Sequence, residues 1–127
     1  MKQERINVVC NLDDGYSAYC GTMLTSLFEN NSNLEIVVYL VTDYISEKNK
    51  HLFSQLVEKY KQTIFYIEVD KSFFTGLPYG GKFSNISLAA YYRLLIPQVL
   101  PKNIGKVLYL DCDIIISGDI RNLWGYN

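Results

Sequence analysis

The chain has 127 residues, 49% of them hydrophobic and 20% charged, a balance that suits one domain with a true core. Its 12 basic and 13 acidic residues leave a net charge of −1, which gives no electrostatic case for nucleic acid or an anionic membrane as partner. The charged N-terminus reads as no signal peptide and no stretch approaches membrane-spanning length. Cys10, Cys20 and Cys112 lack metal-site spacing and read as reduced thiols, so the expectation is a cytoplasmic protein, at most peripheral to the inner face of the membrane.

Ile6 to Leu12 is apolar and β-prone, predicting a first strand that stops at the turn signal Asp13-Asp14-Gly15. A helix is predicted from Tyr16 to Glu29, with Tyr19, Met23, Leu24, Leu27 and Phe28 as its buried stripe, ended by Asn30 to Asn33. Leu34 to Val41 reads as a second buried strand, terminated by Thr42-Asp43. Ser46 is a candidate N-cap for a second helix, and Glu47 suits the positive end of its dipole. Leu52, Phe53, Leu56, Val57 and Tyr60 mark that helix's inner face, and Ile64 to Val69 reads as a third strand. Strand, helix, strand, helix, strand implies a parallel sheet with helices on both faces.

Residues 71–85 break the rhythm with Phe73, Phe74, Gly76, Pro78, Gly80 and Gly81, predicting an irregular loop. Ile86 to Ile96 then reads as a third helix stopped by Pro97, and its single cation, Arg93, would by default snorkel to solvent or pair locally. After the turn Lys102-Asn103-Ile104-Gly105 comes Val107-Leu108-Tyr109-Leu110-Asp111-Cys112-Asp113-Ile114-Ile115-Ile116. Such a run reads as a strand buried on both faces, yet two ionised carboxylates cannot be buried there unpaired. The strand should therefore end at Leu110 and deliver both acids to a cleft at its carboxyl end, where open α/β sheets bind ligands. Such a pair suits a hard divalent cation, although Asp-x-Asp after a strand also serves as a plain turn or helix cap. Ser117-Gly118-Asp119 turns the chain, and Ile120, Leu123 and Trp124 form a last apolar segment.

Two acidic pairs thus come after strands, Asp13-Asp14 after the first and Asp111-Cys112-Asp113 after the fourth, and a parallel sheet brings both to one edge. Neither G-x-G-x-x-G nor G-x-x-x-x-G-K-[ST] occurs, so a metal is the natural way to neutralise a bound diphosphate.

Three blocks, Ile6 to Tyr16 with Asn11-Leu12-Asp13-Asp14-Gly15-Tyr16, Ile86-Ser87 with Tyr91-Tyr92-Arg93-Leu94, and Lys106 to Asp113, closely resemble glycosyltransferase family 8. That family includes glycogenin and the bacterial lipopolysaccharide galactosyl- and glucosyltransferases, and the resemblance covers essentially the whole chain. It implies a GT-A, Rossmann-like fold, here incomplete at its C-terminus, a UDP-sugar donor, Mn²⁺ (or Mg²⁺) dependence and retention of configuration. It also implies a saccharide, lipopolysaccharide or other glycan as acceptor. Carried over by position, Asp111 and Asp113 are metal ligands, with Asp111 also near the donor's ribose or sugar. Asn11 and Asp13 contact uridine, Tyr16 stacks on the base, and Arg93 reaches the donor, against the default for a lone buried cation.

Gly15 departs from the family, where several relatives carry Asn or another side chain, so no side-chain contact is expected there. A histidine that supplies the third metal ligand in the family has no counterpart, since His51 lies early in the second helix and reads as a surface residue. No nucleophile is identifiable, and the acceptor-binding part is expected to be missing from this chain. Beside the transferase reading stands a non-catalytic module or truncated paralogue that holds UDP or UDP-sugar, with self-association through exposed apolar surface. A haloacid-dehalogenase-like phosphatase fits poorly, because its motif lies near the N-terminus and wants Thr or Val where this chain has Ile115.

Overall fold

The computed structural model describes residues 5–69, 97 and 99–125. Four strands, β1 (Arg5–Asn11), β2 (Glu35–Thr42), β3 (Thr63–Glu68) and β4 (Leu108–Tyr109), form one sheet in the order β3-β2-β1-β4. Every neighbouring pair is parallel, with Val8 opposite both Val38 and Leu108, and Val38 opposite Ile64. Helix α1 (Ser17–Asn30) connects β1 to β2, α2 (Glu47–Tyr60) connects β2 to β3, and a four-residue α3 (Arg121–Trp124) closes the described chain. This is the α/β, mostly parallel arrangement that the alternating pattern implies.

Side chains on a strand alternate between faces, and β1 and β2 spend both faces on apolar contact. Ile6, Val8, Cys10, Ile36, Val38 and Leu40 join Met23, Leu24, Leu27, Phe28 and Phe53 in one core. Val9, Val37, Tyr39, Val41 and Val69 form a second core on the other face, against Ile104, Val107 and Tyr109. Both long helices therefore cover the same face. The predicted loop 71–85 and helix 86–96, with Arg93, lie outside the described residues.

Two expectations about helix faces fail. Tyr19, placed in the buried stripe of α1, is 59% exposed, and Leu52, placed on the inner face of α2, is 53% exposed. In both helices the run of apolar letters is wider than the buried stripe, which in α1 holds Cys20, Met23, Leu24, Leu27 and Phe28 and in α2 centres on Phe53. Boundaries shift by about one residue: α1 starts at Ser17, β2 runs to Thr42 and β3 starts at Thr63. The strand before the acidic motif is also shorter and wetter than expected. Only Leu108 and Tyr109 form its ladder, both half-buried, with Leu110 N–H adding one more bond to the Val9 carbonyl at 3.0 Å.

Buried polar side chains stitch the elements together. Gln62 extends the sheet edge by accepting from Ile36 N–H (2.8 Å) and donating to the Leu34 carbonyl (3.0 Å). Ser46 caps α2, its hydroxyl accepting from Asn49 N–H at 3.2 Å, as expected. No helix among the described residues is long and apolar enough to cross a membrane.

Candidate functional site

Because β1 and β4 are parallel neighbours, their carboxyl ends deliver the next residues of the chain to the same edge of the sheet. The chain leaves β1 through Leu12, whose N–H still bonds the Val41 carbonyl at 3.0 Å, and turns at once into a short 3-10 helix, Asp14–Tyr16. It leaves β4 through Leu110 into Asp111-Cys112-Asp113. The alternation there is decisive: Leu110 and Cys112 are buried, whereas Asp111 and Asp113 are exposed. Cys112 is thus the anchor that turns the two carboxylates outward, and its thiol donates to the Asn11 carbonyl at 3.4 Å.

Asn11 is the hinge between the two acidic segments. Its side-chain oxygen accepts from the Tyr109 hydroxyl at 2.7 Å, across the β1–β4 pair. One strand end therefore sets the orientation of the other, and the bond fixes which end of the Asn11 amide faces the β4 side. Tyr109 was legible only as a strand residue; its role comes from the register, which no local pattern reveals.

The two acids of Asp13-Asp14 have different work. Asp13 is extended (φ −101°, ψ 171°), and its exposed carboxylate caps no N–H of the 3-10 turn. Asp14 faces the other way, accepting from Ser46 N–H at 2.9 Å and from the Asn49 side-chain amide at 2.7 Å. Those two bonds, Ser46 first, hold its carboxyl below the usual range. Tyr16 is 51% exposed, its ring 5.8 Å from that of Tyr19 and tilted by 46°. Tyr19, misplaced in the core by its helical spacing, therefore belongs to this aromatic surface.

Cys10, Cys20 and Cys112 are free, buried and part of one core beneath the motif. Contact with Cys112, then Cys20, and burial push the Cys10 thiol well above its ordinary value, so Cys10 stays a neutral thiol. Beyond the motif, Ile114 and Ile115 are exposed, so the apolar letters there are not a buried shoulder. The chain is then caught by α1: Ile116 N–H donates to the Ser26 hydroxyl (2.9 Å) and the Asn30 amide to the Ile116 carbonyl (2.9 Å).

The edge thus brings together Asn11, Asp13, Tyr16, Asp111 and Asp113. Arg93 lies outside the described residues. Among these no group of three His, Cys, Asp or Glu side chains could hold a metal ion, and His51 is exposed on α2. Two exposed carboxylates at a strand end nevertheless fit a hard cation that completes its shell with phosphate oxygens and water.

Comparison with known proteins places the chain in a family. The model of "Glycosyl transferase family 8" matches residues 7–127. The chain belongs to that family. Its sequence is 31% identical over 125 residues to general stress protein A of Bacillus subtilis, covering 97% of this chain and 43% of that protein. A lipopolysaccharide 1,2-glucosyltransferase of Escherichia coli is 30% identical over 123 residues, with 96% of this chain and 35% of the enzyme covered. The crystal structure of galactosyltransferase LgtC in complex with donor and acceptor sugar analogs superposes with a TM-score of 0.82 at 27% identity, over 96% of this chain and 43% of LgtC. The family 8 chain is therefore a GT-A glycosyltransferase in fold, and it spans less than half the length of these relatives.

Proposed function

We propose that the protein binds the donor for a retaining hexosyl transfer from a UDP-sugar, at the carboxyl edge of β1 and β4. The observation that carries this reading is the Tyr109–Asn11 bond, which ties the exposed Asp13 and Tyr16 to the strand that presents Asp111 and Asp113. Family membership and the likeness to LgtC support it.

In this reading Asp13 accepts from the uracil edge, Asn11 contacts the nucleoside, and the Tyr16 ring stacks on the base. Asp111 and Asp113 hold Mn²⁺ or Mg²⁺ through carboxylate oxygens, with Asp111 also near the ribose or sugar. Bound there, the cation supplies Lewis-acid stabilisation of the charge that develops on the leaving diphosphate. Arg93 reaches the donor from the segment 86–96. The acceptor is a saccharide, lipopolysaccharide or other glycan, met in the cytoplasm or at the inner face of the membrane.

Calorimetric titration with UDP in the presence and absence of Mn²⁺ tests the site. Asp113→Asn should abolish the metal-dependent part of the affinity while leaving circular dichroism unchanged, because the side chain is exposed. Unchanged metal dependence in that variant would refute the ligand assignment. A second reading is a module that holds UDP-sugar without transferring it. Donor hydrolysis separates the two: tight UDP binding with no turnover selects the module.

A further inference from the structure

Asp14 has no role in the proposed donor contacts, yet its carboxylate is doubly bonded into the body of the protein. Its Oδ1 takes both the Ser46 N–H at 2.9 Å and the Asn49 amide at 2.7 Å, across 32 and 35 residues of sequence. The receiving side is itself fixed. The Thr42 hydroxyl accepts from Tyr44 N–H and donates to the Tyr44 carbonyl, both at 3.1 Å, and Ser46 is the N-cap of α2 with Ile45 buried beside it. On the other side Asp14 opens the three-residue turn that carries Tyr16. That turn is closed by Tyr16 N–H to the Asp13 carbonyl at 3.0 Å and by Ser17 N–H to the Asp14 carbonyl. Without the Asp14 side chain, two backbone bonds would have to hold two exposed side chains in place.

We infer that Asp14 is a positioning residue for the nucleoside: by locking the Asp13–Tyr16 turn onto the first turn of α2, it fixes Asp13 and Tyr16 before the ligand arrives. The inference rests on the UDP reading proposed above, and it assigns the recognition of the nucleoside, as distinct from the metal and diphosphate, to a three-element unit of β1 exit, turn and α2 start. A turn that is ordered in advance loses less conformational freedom on binding, and the difference appears as affinity. The metal pair follows β4, outside this unit, so its contribution should not depend on Asp14.

The test is UDP titration of the wild type, Asp14→Ala, Asp14→Asn, Asn49→Ala and the Asp14→Ala/Asn49→Ala double variant, with and without Mn²⁺. Asp14→Ala should weaken UDP about tenfold with the ratio of affinities with and without Mn²⁺ unchanged. Asp14→Asn keeps an acceptor for both donors and should stay within about threefold of the wild type. Asn49→Ala should weaken binding by about threefold, and adding it to Asp14→Ala should cost nothing more, since both act through one contact. Wild-type affinity in Asp14→Ala would overturn the inference. So would Asp14→Asn binding as poorly as Asp14→Ala while Asn49→Ala is silent, which would make Asp14 a direct charged contact to the ligand. A second readout needs no nucleotide. Amide exchange at Tyr16 should speed up at least about tenfold in Asp14→Ala, with β1 and β2 amides unchanged. Unchanged exchange at Tyr16 refutes the lock even if UDP proves not to be the ligand, and faster exchange with no UDP binding to the wild type keeps the lock and removes the UDP reading.

Discussion

Asn31 is where one side chain holds the segment behind the acidic motif, and replacing it by alanine is the sharpest test of how that motif is supported. The residue is 1% exposed. Its amide donates to the Leu27 carbonyl at 2.9 Å and to the Gly118 carbonyl at 3.1 Å, while its oxygen accepts from Ile120 N–H at 2.9 Å. A net hydrogen bond contributes about 1 kcal/mol, and a buried donor left without a partner costs about 1–3 kcal/mol. Gly118 is exposed enough for water to replace the lost amide at its carbonyl, but the Ile120 N–H lies against the core and is not. The sum is a loss of about 3 kcal/mol, a large part of the roughly 10 kcal/mol expected for a domain of this size. Urea unfolding measures it through a lower midpoint at unchanged slope. Exchange at the Ile120 amide should rise well before global unfolding, and metal-dependent UDP affinity should fall, because the chain leaving Asp113 then keeps only its Ile116 bonds to Ser26 and Asn30. An Asn31→Ala protein within about 1 kcal/mol of the wild type, or with Ile120 still protected, would refute the reasoning. Asn31→Asp sharpens it: the acceptor for Ile120 remains, but a carboxylate then faces two carbonyl oxygens, so the variant should be destabilised at neutral pH and recover in part as acidification restores an O–H donor.

The same geometry sets three other outcomes. Tyr109→Phe keeps the ring and removes the 2.7 Å bond to Asn11, so it should cost about 1 kcal/mol by urea unfolding and lower UDP affinity; unchanged affinity would separate Asn11 from the nucleoside. Gly15→Ala restricts the unfolded chain at a position without positive φ and should stabilise by about 0.5 kcal/mol, yet its Cβ would stand 3.3 Å from an Asp13 oxygen. Thermal midpoint should therefore rise while UDP affinity falls, and a rise in both would show that Asp13 is not held where it is needed. For Asp14 the folded-state pKa lies below its ordinary value, so its stabilisation is present above that value and is lost as pH falls through the depressed one. Unfolding free energies of the wild type and Asp14→Asn should accordingly converge as pH drops below about 4, and a gap that persists to lower pH would contradict the sign.

The order of elements was legible because hydrophobic period and turn chemistry are local. Ser46 and Glu47 announce the start of α2, and the apolar run from Leu34 to Val41 announces β2. Exposure of individual side chains was not legible at the same level. Tyr19 and Leu52 sit at helical spacing from true core residues, and only the shape of the sheet beneath decides which side of the stripe is covered. The acids show the limit most clearly. Asp13 and Asp14 are the same residue type, adjacent, in one turn signal, and any local rule treats them alike. What separates them is a contact across more than thirty residues, which commits Asp14 to Ser46 and Asn49 and leaves Asp13 facing outward. The motif after β4 obeys the same logic one residue apart, where a buried Cys112 gives Asp111 and Asp113 their common direction. In both places the residue that faces outward is chosen by a neighbour that faces the protein. A substitution that spares the exposed acids and disturbs only those inward partners should therefore weaken binding without removing any group that touches the ligand.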